Sequence, residues 1–179
     1  MKWKEYLPAL GAAVLAAAIL AVANFGFRGL AAQRAEEELQ AKLRLLLPNS
    51  TSFTRREGAG DPVQALYEGS SGTVAQVRCP GYVYDVELLV AVRSDGTVTG
   101  LAVREAHETP GLGSAILFDY EFLARFLKTD GRAEIGRDIV PITGATVSCR
   151  AVSRCVSAAV AAVTGEDVPS QATPWGDGS

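Results

Sequence analysis

Two short stretches of the chain hold residues that a bound group could use. The first is His107-Glu108-Thr109-Pro110-Gly111-Leu112-Gly113-Ser114, set between a strand-like and a helix-like segment. A proline and two glycines within four positions fix a tight loop whose backbone a ligand can approach closely. Its spacing is neither the GxGxxG of a dinucleotide turn nor the GxxxxGK[ST] of a P-loop, which excludes both of those phosphate cradles. The second stretch is Ile142-Thr143-Gly144-Ala145-Thr146-Val147-Ser148, a polar turn opening an Ala-rich helix. Free backbone N–H groups and the positive end of the helix dipole meet at such a place, making it a seat for phosphate. Local physics leaves a plain reading open for each: a strand-to-helix connection, and N-capping by Thr146 or Ser148.

Other chemistries find little support. Cys79, Cys149 and Cys155 make neither CxxC nor any zinc or iron–sulfur spacing. On one helix Cys149 and Cys155 lie about 9 Å apart along the axis, too far for a disulfide, so all three read as buried fillers. The single histidine, His107, has no other ligand types clustered at useful spacing, and no metal site is expected. A net charge of −3 without a basic stripe excludes nucleic acid as a partner.

The scaffold that must position these stretches reads as a small α+β domain, an antiparallel sheet with packed helices. Residues 52–62 look like an irregular entry. Strand signals begin at Val63–Tyr67 and continue at Thr73–Arg78, with Cys79-Pro80-Gly81 as a turn. Tyr82–Val92 is apolar and β-branched enough for a central strand. Ser94-Asp95-Gly96 marks a hairpin, and Thr97–Glu105 is the returning strand. Ile116–Lys128 changes to a helical period, and Ser148–Val163 is Ala/Val-rich and helical, closed by Thr164-Gly165.

Apolar residues make up 48% of the chain, and the excess lies at its start. From Tyr6 to Phe27 there are 22 residues without a charge, bounded by Glu5 and Arg28. As a helix this run spans about 33 Å, enough for a bilayer core of about 30 Å, and it exceeds the h-region of a cleaved signal. Trp3, Tyr6, Phe25 and Phe27 suit the two interfaces, and Lys2 and Lys4 favour a cytoplasmic N-terminus near anionic lipid head groups. The expected organisation is a transmembrane helix over 6–27, a juxtamembrane helix over 28–50, the domain over 51–165, and a disordered Pro/Gly/Ser-rich tail over 166–179.

Thr143-Gly144-Ala145-Thr146 resembles the (S/T)GAT flavinylation signature of FMN-binding domains, and His107–Gly113 resembles the HxETPGLG segment upstream of it. With one N-terminal anchor, the chain is similar to the G subunits of Rnf-type complexes and, more distantly, to the C subunits of sodium-translocating NADH:quinone reductases. The resemblance implies FMN joined through a phosphoester to Thr146 by a flavin transferase that uses FAD and Mg²⁺. It implies that Thr143 positions the phosphate and that Gly144 and Ala145 leave room for it. Glu108, Thr109 and Leu112 would line the isoalloxazine ring, with backbone groups of Pro110, Gly111 and Gly113 nearby. The aspartate usual three residues before the signature is Val140 here, with Asp138 two residues earlier.

The same resemblance implies a redox subunit that relays single electrons within a membrane-bound ion-translocating ferredoxin:NAD⁺ oxidoreductase. The domain is expected outside the cytoplasm, and the other subunits of the complex are the expected partners. No catalytic acid or base is assigned, since the flavin does the chemistry and the protein tunes it. A quinone-reductase subunit, a lone extracytoplasmic flavin shuttle and an unflavinylated docking module are the alternatives.

Overall fold

The computed structural model describes residues 33–81, 85–106, 119–166 and 168. The expected membrane helix, the expected loop over His107–Ser114 and the tail after Val168 lie outside them. The chain divides into two compact units, Met1–Ala41 and Lys42–Ser179. Residues 33–46 form a helix, α1, and residues 33–41 of it are the described part of the first unit.

The second unit is built on five strands: β1 (Thr54–Gly60), β2 (Val63–Gly69), β3 (Gly72–Pro80), β4 (Asp85–Val92) and β5 (Val98–Ala106). They pair antiparallel in chain order, so every neighbour in the sheet is a neighbour in sequence. Two helices follow, α2 (Tyr120–Ala124) and α3 (Thr146–Thr164). The architecture is the α+β sheet with packed helices that the hydrophobic patterning describes.

Helix α3 packs across β3 and β4, burying Cys149, Val152, Cys155, Val156 and Ala159 against Ala75, Val77, Val86, Leu88 and Val90. Its 19 residues, with mean hydropathy 1.3, are enough to cross a membrane by length and composition. Its seat against the sheet makes it instead the core helix of this domain. The opposite face of the sheet is covered from Lys42 onward: Leu43 and Leu47 are buried, and Lys42 Nζ donates to the Val103 carbonyl at 3.0 Å. With cover on both faces, β4 from Val86 to Val92 has no exposed residue and lacks the alternation of a half-buried strand.

Three expectations are corrected. Residues 54–60 form an edge strand within the stretch read as irregular, because β2 supplies its hydrogen bonds although Thr-Arg-Arg-Glu-Gly-Ala-Gly offers almost no apolar alternation. Cys79 and Pro80 belong to β3, paired with Val86 and Asp85, so the chain turns after them. The helix expected over Ile116–Lys128 is described only as α2, which is capped by Asp119 and gives way to turns at residues 125–128. Lys128 there adopts a φ of 64°, and its N–H bonds the Val98 carbonyl rather than continuing a helix. The Ser94-Asp95-Gly96 hairpin and the closing of α3 at Gly165 agree with the sequence.

Candidate functional site

The Thr143–Thr146 signature forms the turn that feeds α3. The Ala145 N–H donates to the Ile142 carbonyl at 3.0 Å, closing a four-residue turn with Thr143 and Gly144 at its centre. Gly144 has a φ of 82°, which the third position of a type II turn requires and which a β-carbon resists. Ile142 packs on the core and Ala145 is buried, while Thr143 and Gly144 between them are exposed. Apolar anchors thus hold a polar loop clear of the surface.

The N-cap reading of Thr146 and Ser148 is corrected. The N-cap is Ala145, which has no side chain to cap with, and Thr146 is already the first helical residue. The first bond of the ladder is from Cys149 N–H to the Ala145 carbonyl, so the N–H groups of Thr146, Val147 and Ser148 precede it. The first turn holds no acidic residue. Thr146 is exposed, whereas Ser148 is buried and its Oγ finds no hydrogen-bond partner among the described residues. Among the described residues, this positive helix end has no side-chain cap, no acidic residue in its first turn and no partner for a buried hydroxyl, features that suit an anion. The residues fit a phosphate group held beside Thr146.

The segment leading into the turn is ordered by charge. Asp138 Oδ2 accepts from Glu134 N–H at 2.9 Å and from Arg137 Nη2 at 2.9 Å, closing the loop whose ends meet at the Ile135–Ile139 bridge. The Arg137 guanidinium, then the Glu134 N–H, holds the Asp138 carboxyl below its ordinary range. Asp138 is therefore committed to its own loop. Val140, where the FMN-binding signature usually has aspartate, is 70% exposed, and its carbonyl accepts from Arg125 Nη1 at 3.0 Å. Burial pushes the Cys149 thiol up, opposed by hydrogen bonding to the backbone at Ile142 and by the Arg125 charge.

Ser148 and Arg125 carry no mark in the motif. The available signal for Ser148 was its place as third helical residue after an alanine cap, where a hydroxyl leans back toward the helix start. Glu108, Thr109, Pro110, Gly111, Leu112 and Gly113 lie outside the described residues. A separate apolar groove of about 370 Å³ is lined by Leu45, Leu46, Leu101, Tyr120, Leu123 and Leu127, among others, and none of Thr143–Thr146 borders it.

Comparison with known proteins gives these features a family. The profile of the FMN-binding domain matches residues 81–161, which include both the His107–Ser114 stretch and the Thr143–Thr146 turn. The G subunit of the ion-translocating oxidoreductase complex of Methanosarcina acetivorans is 30% identical, over 75% of this chain and 79% of that protein. The G subunit of the proton-translocating ferredoxin:NAD(+) oxidoreductase complex of Clostridium ljungdahlii is 31% identical, over 82% of this chain and 83% of its own length. The G subunit of the ion-translocating oxidoreductase complex of Cereibacter sphaeroides (strain ATCC 17023) is 32% identical, over 78% and 74% respectively. The chain thus belongs to the G subunits of ion-translocating oxidoreductase complexes, the redox subunits of a translocase, and bears their FMN-binding domain.

Proposed function

We propose that this chain is the FMN-carrying electron-transfer subunit of a membrane-bound, Rnf-type ferredoxin:NAD⁺ oxidoreductase, with the flavin held covalently on Thr146. The observation that carries the reading is the exposed Thr146 side chain at the uncapped N-terminus of α3. In the joining step Thr146 Oγ1 bonds the FMN phosphorus of FAD and the pyrophosphate P–O bond breaks. AMP leaves, the hydroxyl proton goes to solvent, and no oxidation state changes. A flavin transferase with Mg²⁺ supplies the catalysis, and this chain supplies an accessible acceptor.

The resulting phosphodiester keeps one negative charge, which the first N–H groups of α3 and its dipole stabilise. Gly144 gives the turn its shape, Ala145 anchors it, and Thr143 offers a second hydroxyl beside the phosphate. Glu108, Thr109, Leu112 and the backbone of Pro110–Gly113 are proposed to shelter the ring. When bound, FMN supplies one-electron transfer, and the protein fixes its position and exposure. The Tyr6–Phe27 run anchors the chain in the bilayer, the domain stands on the extracytoplasmic side, and the other subunits of the complex deliver and remove the electrons.

The test is the intact mass of protein co-expressed with a flavin transferase, beside a Thr146→Val variant. A gain of FMN minus one water in the wild type and none in the variant is the expected result. An unmodified wild type, with the transferase active on another substrate, would overturn the covalent reading and leave a docking module.

A further inference from the structure

We propose that Ser148 is a further phosphate-binding residue, its buried hydroxyl donating a hydrogen bond to a non-bridging oxygen of the phosphoester on Thr146. The proposal rests on the reading of Thr146 as flavin acceptor and adds to it a residue outside the four-residue signature.

Two observations set Ser148 apart. Ser148 is 1% exposed, yet its Oγ has no hydrogen-bond partner among the described residues. A buried hydroxyl left in that state forgoes the hydrogen bonds it makes to water in the unfolded chain, so the position is disfavoured unless something completes it. A hydroxyl residue within a helix can bond the carbonyl four residues back, and Thr164 does so to Val160 at 2.9 Å. Ser148 makes no such bond, although the carbonyl four residues earlier belongs to the turn at Gly144.

Position supplies the direction. Ser148 is the third helical residue, and side chains on a helix lean toward its N-terminus, which is how the third residue of a capping box reaches back over the helix start. Here the reciprocal capping side chain is absent because the cap is Ala145. Two residues of helix turn the chain by about 200°, so Thr146 and Ser148 approach the axis from opposite sides. Thr146 comes from solvent and Ser148 from the core. A phosphate esterified to Thr146 and resting over the axis would meet the N–H groups that precede the helical ladder from above and the Ser148 hydroxyl from the inner side. The bond has one donor hydrogen and one anionic acceptor, the stronger kind of hydrogen bond.

The experiment uses the full-length chain, matured with flavin transferase, as wild type, Ser148→Ala, Ser148→Thr and Thr146→Val. Occupancy is read by intact mass, the phosphoester by its ³¹P resonance, and melting temperature is measured with and without the flavin. Unflavinylated Ser148→Ala should melt no lower than unflavinylated wild type, because the lost hydroxyl had no partner. Flavinylation should raise the melting temperature of Ser148→Ala less than that of wild type and leave its ³¹P resonance displaced, with Ser148→Thr restoring both. Equal gains and identical ³¹P shifts in Ser148→Ala and wild type would overturn the proposal while the covalent flavin stands. A wild type that takes up no flavin would overturn both readings together. Should Ser148→Ala fail to fold, a Ser148→Thr protein with wild-type resonance and gain supports the proposal, and one with neither overturns it.

Discussion

The Ser157 hydroxyl donates to the Gly131 carbonyl at 2.6 Å, and this bond fastens the segment before the signature turn to the middle of α3. Ser153 adds a second fastener, donating to the Ala133 carbonyl at 3.1 Å. Ser157→Ala should therefore lower unfolding free energy by about 1–3 kcal/mol, since a buried carbonyl loses its donor. Gly131→Ala should cost at least as much, because φ there is 78° and a β-carbon would stand 2.9 Å from Val160 Cγ2. Urea unfolding of the two variants against wild type checks both.

Gly144→Ala tests the turn itself. A β-carbon there meets nothing within 4 Å, so any cost is backbone strain at a φ of 82°. The expected loss is about 1–2 kcal/mol locally, with slower flavin uptake because the acceptor turn is misshapen. Time-resolved intact mass during maturation reads the second effect.

Glu87 is the carboxylate of a largely buried network. It accepts from Gln76 Nε2 at 2.6 Å and Arg78 Nη2 at 3.1 Å and faces Arg104 Nε at 3.5 Å, while Tyr67 donates to Gln76 at 3.0 Å. Glu87→Ala should destabilise by about 2–3 kcal/mol, below a fully buried pair because both arginines reach solvent. Chemical denaturation of the variant measures it.

Burial is the main cause that pushes the Cys155 thiol well above its ordinary range, with Cys79 alongside adding to it. The folded value lies above the unfolded one, so this contribution to stability is complete below the ordinary thiol pKa of about 8.5 and is lost as pH rises through the folded value. Cys155→Ala should cost about 1 kcal/mol at neutral pH, from the small cavity, and flatten the decline on the alkaline side. Stability curves of variant and wild type across that window decide the point.

Val140→Asp would put a carboxylate where the flavinylation signature usually carries one, beside the Arg125 guanidinium that already bonds the Val140 carbonyl. Val140 is exposed, so the fold should be unchanged. Faster flavin uptake by the variant is expected and would show that the aspartate serves the transferase; an unchanged rate would show that the transferase reads no carboxylate at this position.

Much of the scaffold was legible because burial wrote it into the sequence. The apolar run of β4 and the Ala/Val stretch of α3 each announce the layer they occupy, and Ser94-Asp95-Gly96 announces its hairpin. β1 was not legible, since Thr54–Gly60 is a strand only by pairing with β2 and its side chains carry almost no hydrophobic signal. The short α2 was overread because Phe122, Leu123 and Phe126 share a face whether the chain is helical or turning. At the site, the motif marked Thr146 and the helix start. The missing cap and the stranded Ser148 hydroxyl depend on where α3 begins to one residue, which periodicity does not resolve.

The sheet's sequential order has a consequence for maturation. Strands that pair only with their chain neighbours close short loops, so β1 to β5 can assemble progressively as the polypeptide emerges. Helix α3 is synthesised after all five and needs β3 and β4 as its bed. The acceptor turn at its head can be held in its folded shape only once that bed exists. A transferase that reads that shape would load flavin only onto chains that have finished folding, making cofactor attachment a quality checkpoint for the complex.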